Sequence, residues 1–140
     1  MRDATQTIGN MLDKQKVVYI SSVDEQGFPN TKAMLTPRER DGIKTIYFST
    51  NTSSMRVAQF TVNPKACIYV CDQRFFRGAM LKGMVEVLTD VQIKERIWRE
   101  GDTMYYPQGV TDPDYCVLQF TIHSGRYYSN FKSEDFTVEG

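Results

Sequence analysis

The sequence has few of the residues that bind transition metals. Its 140 residues include one histidine, His123, and three cysteines, Cys67, Cys71 and Cys116. No two cysteines have the Cys-x-x-Cys spacing of a zinc site, so we expect no metal centre. On one extended strand Cys67 and Cys71 would lie about 13 Å apart, which is too far for a disulfide. Unpaired thiols are typical of a reducing compartment, and we expect a cytoplasmic protein.

The chain also has no excess of charge and no long apolar run. Lys plus Arg and Asp plus Glu number 17 each, giving a formal net charge of +0, which argues against a broad basic surface for nucleic acid. No stretch approaches the roughly 18 apolar residues of a membrane span, and the N-terminus has no apolar signal segment. We therefore expect neither nucleic acid nor a membrane as partner. The length predicts a single domain over residues 1–140.

Alternating β-branched and aromatic residues predict a chain made mainly of strands. Gly78 and Gly83 indicate bulges or close backbone approaches within a long strand. Short antiparallel strands with three short helices predict a small barrel, since closure removes exposed edges. The predicted strands cover residues 16–23, 30–38, 43–50, 65–71, 75–88, 116–122 and 126–131. The predicted helices cover residues 4–13, a segment from about Ser53 to residue 62, and a segment that follows an apparent capping box at Thr89 and Gln92.

Residues 47–64 form the most informative segment, a strand that leads into a Ser/Thr-rich helix start. The first N–H groups of a helix lack internal partners and attract a phosphate. Thr50, Thr52, Ser53 and Ser54 supply hydroxyls. Arg56 falls in the first turn, where a cation opposes the helix dipole unless an anion lies between them.

Acidic residues are absent from positions 42–71, so nothing nearby in the sequence would repel a phosphate. The alternative interpretation is that Thr52 or Ser53 is a simple helix N-cap and Arg56 a solvated surface charge. The segment 101–115, with two prolines and two glycines, is too long for a simple connection and is expected to be functional or to cover something.

Several short motifs occur in one order along the chain. They are Asp24-x-x-Gly27-x-Pro29, Lys32-Ala33-Met34, Phe48-Ser49-Thr50-Asn51 with Ser54 and Arg56, Asn63-Pro64, and Tyr106-Pro107-x-Gly109-x-x-Asp112-Pro113-Asp114-Tyr115. This series resembles the FMN-binding split barrels related to pyridoxamine 5'-phosphate oxidase, and within them the general stress protein branch. The resemblance covers nearly the whole chain. It implies a mainly β protein with short helices, an antiparallel split β-barrel that binds FMN at the interface of a homodimer.

The resemblance also implies which residues bind the cofactor. Ser54 and Arg56 would bind the FMN phosphate, and Lys32 would reach the same group from the neighbouring strand. Ser49 and Thr50 would border the ring or the ribityl chain. The full implied set is Lys32, Ala33, Met34, Leu35, Phe48, Ser49, Thr50, Ser53, Ser54, Met55 and Arg56. Core packing is the alternative for Met34 and Phe48, and a solvated strand lysine is the alternative for Lys32.

Departures from the oxidase pattern concern the substrate more than the cofactor. Met55 stands where the oxidase has a second basic residue, and Gly78 stands where it has a glutamine. The oxidase's carboxy-terminal Arg-Leu-His-Asp-Arg run is absent, and residues 126–131 read Arg-Tyr-Tyr-Ser-Asn-Phe. We therefore expect no oxidation of pyridoxamine phosphate.

Three functions remain open. The first is an FMN-dependent oxidoreductase with a small-molecule electron donor or acceptor, in which the hydride chemistry belongs to the flavin. The second, favoured by the missing substrate motif, is a flavin carrier or stress sensor without turnover. The third is a split barrel that binds haem with His123 as axial ligand, although a lone histidine near a strand end is more often structural. Trp98, Tyr105 and Tyr106 are candidates either to stack on the flavin or to pack in the core or between subunits.

Overall fold

The computed structural model describes residue 1 and residues 3–139, which form an antiparallel sheet of eight strands flanked by short helices. The helices are α1 (Ala4–Lys14), α2 (Met55–Val62) and α3 (Val91–Ile97). The strands are β1 (Val17–Val23), β2 (Pro29–Leu35), β3 (Glu39–Asp41), β4 (Thr45–Asn51), β5 (Lys65–Asp72), β6 (Arg77–Leu88), β7 (Tyr115–Ser129) and β8 (Lys132–Thr137). Two 3₁₀ turns, Asp102–Met104 and Gly109–Thr111, lie in the loop between α3 and β7.

The strands follow the spatial order β2-β1-β5-β6-β7-β4-β3, and β8 also pairs with β7. Strand β7 is long enough to pair with β6 on one side and with β4 and then β8 on the other. Among the described residues, β2 and β3 end this order and no ladder joins them. The barrel is therefore split, as predicted, and β2 keeps one unpaired edge.

The core lies between the sheet and the amphipathic helices. Ile8, Met11 and Leu12 bury one face of α1, at the spacing expected for a helix that packs on one side. On β1, Val18 and Ile20 are buried, and the alternate residues face outward because successive strand side chains point to opposite faces. Apolar burial of this kind contributes about 25 cal/mol per Å² and stabilises the barrel.

The two predicted glycine positions are confirmed as sites of close approach. A Cβ atom on Gly78 would collide with the hydroxyl of Tyr69, and one on Gly83 would collide with the carbonyl oxygen of Thr121. The ladder between β6 and β7 shifts register between Lys82 and Gly83. This bulge lets β7 continue where the sequence predicted two separate strands.

Three element predictions are wrong. The predicted strands 116–122 and 126–131 are one strand, because the ladder with β6 continues through the bulge instead of ending near Gly125. Strands β3 and β8 were not predicted, because β3 is short and β8 reads Lys-Ser-Glu-Asp-Phe-Thr without apolar alternation. The apparent capping box also fails, since α3 has Asp90 as N-cap and no side-chain cap hydrogen bond.

All three cysteines are free, and Cys116 is buried. Within residues 1 and 3–139, no group of three or more His, Cys, Asp or Glu side chains is arranged to hold a metal ion. No helix in the described part of the chain is long and apolar enough to cross a bilayer.

Candidate functional site

A cavity of about 300 Å³ lies beside the split of the barrel, between β2 and β4. Its lining residues come from β2 and the turn after it, from β4 and α2, and from the loop before β7. They are Lys32, Ala33, Met34, Leu35, Thr36, Arg38, Phe48, Ser49, Thr50, Asn51, Arg56, Tyr105 and Tyr106. The lining combines apolar and aromatic side chains with polar and cationic ones, and a concave site with convergent polar groups is typical of small-molecule binding.

Arg56 marks one end of this cavity. Its Nε atom is buried and has no hydrogen-bond partner among the described residues. Burial lowers the pKa of the Arg56 guanidinium from its ordinary value, because a charge removed from water without a counter-charge is destabilised. An anion in the cavity would supply the missing acceptor.

The start of α2 adds backbone donors beside Arg56. Ser54 is the N-cap, and its side chain accepts a hydrogen bond of 3.4 Å from the amide of Val57. Met55 and Arg56 occupy the first two helical positions, whose N–H groups have no intrahelical acceptor. The first turn therefore offers a cation and free amides at one place, which is the arrangement that binds phosphate groups.

Lys32 and Arg56 also line a neighbouring cavity of about 320 Å³. Its other lining residues are Asp24, Phe28, Pro29, Asn30, Thr31 and Met55. Hydrogen bonds from the Asn30 side chain and the Phe28 amide hold the pKa of Asp24 below its ordinary value. The two cations thus stand where the two cavities meet, and one carboxylate lies nearby.

The hydroxyl-rich segment before α2 is engaged within the protein. The amide of Thr52 donates to the carbonyl oxygen of Asp114 at 2.8 Å, and the amide of Ser53 donates to an Asp114 carboxylate oxygen at 2.8 Å. The amide of Ser54 donates to the Asn51 carbonyl oxygen at 3.0 Å. These three amides are not free to bind a ligand.

The structure bears on two sequence-based expectations about this segment. The expectation that nothing nearby would repel a phosphate is wrong, because folding brings Asp114 to within 2.8 Å of Ser53. Hydrogen bonds from Asn51 and Ser53 keep the pKa of Asp114 low. Ser53 and Ser54 do not line the 300 Å³ cavity, and Met55 lines only its neighbour. The other eight residues of the predicted set do line it.

Arg38 lies at the opposite end of the cavity, and its guanidinium group is paired with a carboxylate. Its Nη1 and Nη2 atoms donate to the two carboxylate oxygens of Asp102 at 2.8 and 2.9 Å. The pair raises the pKa of Arg38 and lowers that of Asp102. The side chains of Asp102 and Arg38 are 5% and 17% exposed, so this is a part-buried ion pair with paired hydrogen bonds, the strong form of such a contact.

Four aromatic side chains pack together beside Arg38, and two of them form the wall of the cavity. Tyr106 packs on Tyr115 and Trp98, with ring centroids 4.9 and 6.2 Å apart, and Tyr105 lies next to it. Burial raises the pKa of both Tyr106 and Tyr115 to about 12. Tyr105 and Tyr106 line the cavity, whereas Trp98 packs behind them in a second apolar cluster. The long loop therefore covers the site, as its length predicts.

Four residues at or beside the cavity are absent from the predicted set: Thr36, Arg38, Asn51 and Asp102. Asn51 follows directly on the predicted set and could have been added from strand continuity. No local signal marks Arg38, because its role depends on Asp102, which is 64 positions away.

His123 lies outside this cavity. It lines a separate surface cavity of about 590 Å³ on β1, β5, β6 and β7, together with Cys67, Lys82 and Met84. Its Nδ1 atom is 3.0 Å from the Ser124 hydroxyl. The lone histidine is therefore not placed to act on a ligand between β2 and β4.

The fold and the cavity together define a class of protein: a split barrel with a slot between β2 and β4, cationic at one end and aromatic at the other. The family comparison agrees with this class. The family model described as pyridoxamine 5'-phosphate oxidase matches residues 4–129, and the chain belongs to that family.

Solved structures give the same result. A Clostridium acetobutylicum protein related to general stress protein 26 of B. subtilis is 38% identical, with a TM-score of 0.87 and coverage of 96% of this chain and 94% of that one. General stress protein 26 from Bacillus anthracis is 15% identical, with a TM-score of 0.77 and coverage of 96% and 98%.

A third structure has the same fold at low identity. It is a pyridoxamine 5'-phosphate oxidase-related, FMN-binding protein from Nostoc punctiforme, 12% identical, with a TM-score of 0.75 and coverage of 100% of this chain and 98% of that one. No curated protein matches this chain.

Proposed function

We propose that this protein is a homodimeric FMN-binding flavoprotein of the general stress protein type that acts as an oxidoreductase on a small molecule. The observation that carries the proposal is the buried, unpartnered Nε atom of Arg56 at the end of a narrow cavity. A donor of this kind is costly to leave without an acceptor. The Nostoc protein with the same fold binds FMN, which agrees with the proposal.

In this proposal the two ends of the cavity have different tasks. Arg56, Lys32 and the first amides of α2 hold the phosphate. Ala33, Met34 and Phe48 contact the ring, with Ser49 and Thr50 beside the ring or the ribityl chain. Tyr105 and Tyr106 exclude water from the far end.

Bound FMN would supply hydride transfer, which no side chain here provides. The chain's own residues bind and orient the ligand, and no titratable side chain in the cavity is assigned as a general acid or base. The substrate would reach the cavity beside the split of the barrel. We place the protein in the cytoplasm, in keeping with its free thiols.

Dimer formation is part of the proposal because one protomer leaves apolar strand surface uncovered. Val17 pairs with Leu35, and Tyr19 pairs with Ala33 on one side and Tyr69 on the other. Val17, Tyr19, Leu35 and Tyr69 are all exposed, Leu35 to 71%. A second copy packed on this surface would bury it and complete the cavity beside β2.

Two alternatives make different demands on the protein. A flavin carrier or stress sensor needs the same cavity but does not need an electron donor that reduces the bound flavin. Haem bound between β2 and β4 would need an axial ligand there, and His123 lies in another cavity. The geometry therefore favours flavin over haem at this site.

The test is a set of titrations on the purified full chain, first freed of any small molecule. FMN, riboflavin and haemin are added separately, and binding is followed by absorption and fluorescence. We expect FMN to bind more tightly than riboflavin, and we expect haemin added afterwards to the FMN-loaded protein not to displace FMN. Absence of FMN binding would refute the proposal.

A second measurement separates enzyme from carrier. NADH or NADPH is added without oxygen to the FMN-loaded protein, and the visible flavin band is followed. Bleaching of the band supports an oxidoreductase, and an unchanged band in the presence of both donors supports a carrier.

A further inference from the structure

The segment from Trp98 to Asp114, here called the covering loop, reaches the cavity through two residues near its middle. Tyr105 and Tyr106 line the cavity, and both of their amides donate to the carbonyl oxygen of Asp102 at 2.9 Å. The backbone of Asp102 therefore fixes the backbone position of these two aromatic residues. Any movement of Asp102 would move the wall of the cavity.

The side chain of Asp102 is tied to a different part of the molecule. Arg38, which follows β2, donates two hydrogen bonds to its carboxylate at 2.8 and 2.9 Å. The amide of Arg99 donates to the same carboxylate at 2.8 Å, and the Arg99 guanidinium donates to the Arg38 carbonyl oxygen at 2.7 Å. The covering loop and the end of β2 are thus joined by contacts in both directions.

Arg38 is itself fixed to the sheet. Its amide donates to the carbonyl oxygen of Tyr47 on β4 at 2.8 Å, and its side chain lines the cavity. The Arg38–Asp102 pair therefore connects the strand side of the cavity with its aromatic side.

We propose that Asp102 is a positioning residue for the ring-binding end of the cavity, acting through Arg38 to hold Tyr105 and Tyr106 in place. This inference rests on the proposed flavin function and assigns a role to a side chain that does not itself line the cavity. Because the pair lies at the end opposite Arg56, it should affect binding of the ring rather than of the phosphate.

The chain contains a matched control. Arg40 donates through Nε and Nη2 to both carboxylate oxygens of Asp13 at 2.8 Å, so this ion pair is also bidentate, although Asp13 is 54% exposed. Neither residue lines the 300 Å³ cavity. Asp102→Asn and Asp13→Asn therefore make the same chemical change at the cavity and away from it.

The first readout is ligand affinity at a temperature where circular dichroism shows both variants folded. We expect Asp102→Asn to weaken riboflavin and FMN by the same factor of about 10, since one charge-assisted contact is lost. Asp13→Asn should leave both affinities unchanged. Equal affinities in the wild type and Asp102→Asn would overturn the inference.

The second readout needs no ligand. Trp98 is the single tryptophan of the chain and packs on Tyr106 and Tyr115, so its fluorescence reports the covering loop. We expect red-shifted emission and faster amide hydrogen exchange of residues 98–115 in Asp102→Asn, and neither change in Asp13→Asn. The faster exchange in Asp102→Asn should be confined to this segment, whereas loss of general stability would also speed exchange in the core strands.

A milder variant keeps the test usable if Asp102→Asn does not fold. Arg38→Lys keeps the charge but loses the paired hydrogen bonds, and we expect a loss of about threefold for both ligands, by the same relation between free energy and affinity. If the wild type binds neither ligand, the proposed function fails and the inference falls with it. If the wild type binds FMN while Asp102→Asn and Arg38→Lys bind it equally well, only the inference fails.

Discussion

Arg38 and Arg56 line the same cavity, but their surroundings are opposite. Arg38 is bound by the carboxylate of Asp102 and its pKa is raised. Arg56 has a buried Nε atom without a partner, and burial lowers its pKa. Arg38 already has its hydrogen bonds accepted by a carboxylate and supports the structure. Arg56 has a buried Nε atom without an acceptor, and it is the arginine that we expect a ligand to satisfy.

The largest loss of ligand affinity is expected at Arg56, the arginine without a partner for its Nε atom. Arg56→Ala removes a charge-assisted hydrogen bond worth about 1.5 to 3 kcal/mol, so FMN should bind about 10 to 150 times more weakly at 1.4 kcal/mol per decade. Riboflavin, which lacks the phosphate, should bind nearly as before. Fluorescence titration of both ligands measures this.

The exposed residue Arg126, paired with Asp135, provides the control for that experiment. Arg126→Ala removes a cation of the same type away from the cavity and should leave both affinities unchanged. Equal losses of FMN and riboflavin in Arg56→Ala would show that Arg56 does not touch the phosphate.

The contrast between Arg38 and Arg56 is drawn within one protomer, and a second subunit would change it if its side chains reached Arg56. We expect a dimer at micromolar concentration, and Tyr19→Glu should shift it towards monomer, because a charge would enter the apolar surface of Val17, Tyr19, Leu35 and Tyr69. FMN affinity should fall with the dimer. Sedimentation with and without FMN measures both quantities.

Val91→Glu serves as the control for the dimer experiment, since it places a carboxylate on an exposed apolar residue of α3. It should remain dimeric. A wild-type monomer that binds FMN tightly would show that the site is complete in one chain, and the contrast between the two arginines would then stand without a second subunit.

The packing of the aromatic residues beside the Arg38–Asp102 pair can be tested by the dependence of stability on pH. Tyr106 and Tyr115 have pKa values raised from 10.0 to about 12, chiefly by burial. Above pH 10 the unfolded chain releases these protons and the folded chain keeps them, so stability is full below pH 10 and falls as pH rises towards 12. The expected slope is about 1.4 kcal/mol per pH unit for each tyrosine.

Urea unfolding of the wild type and Tyr106→Phe between pH 9 and 12 isolates this effect, because the lysines titrate equally in both. The difference in unfolding free energy should change with pH in the sense that the wild type loses stability faster. A constant difference would mean that Tyr106 is accessible to hydroxide, and that the aromatic wall is open rather than packed.

The last prediction is the absence of an activity, the oxidation of pyridoxamine phosphate. Pyridoxamine phosphate carries a second phosphate, and Arg38, the cation at the far end of the cavity, is already paired with Asp102. We expect no formation of pyridoxal phosphate by the FMN-loaded protein. Turnover near the usual enzyme median of about 10 per second would show that a second anion site exists and that the paired end is not closed to phosphate.

The sequence by itself determined the family, the split barrel and most of the cavity. Strand and helix periodicity are local, and the motifs from Lys32 to Arg56 follow one another along the chain. The first turn of α2 could be predicted as an anion site because capping and helix-dipole effects depend on adjacent residues. Eight residues of the predicted cofactor set line the cavity for this reason.

Only the tertiary structure decided which polar groups are free. Asp114 binds the amide of Ser53 from 61 positions away, and Asp102 pairs with Arg38 from 64 positions away. No local pattern encodes such contacts, because they depend on how β4, α2 and the covering loop are brought together. Folding therefore engaged the backbone amides of the hydroxyl-rich turn and the guanidinium of Arg38 within the protein. It left the buried Nε atom of Arg56 without a hydrogen-bond acceptor among the described residues.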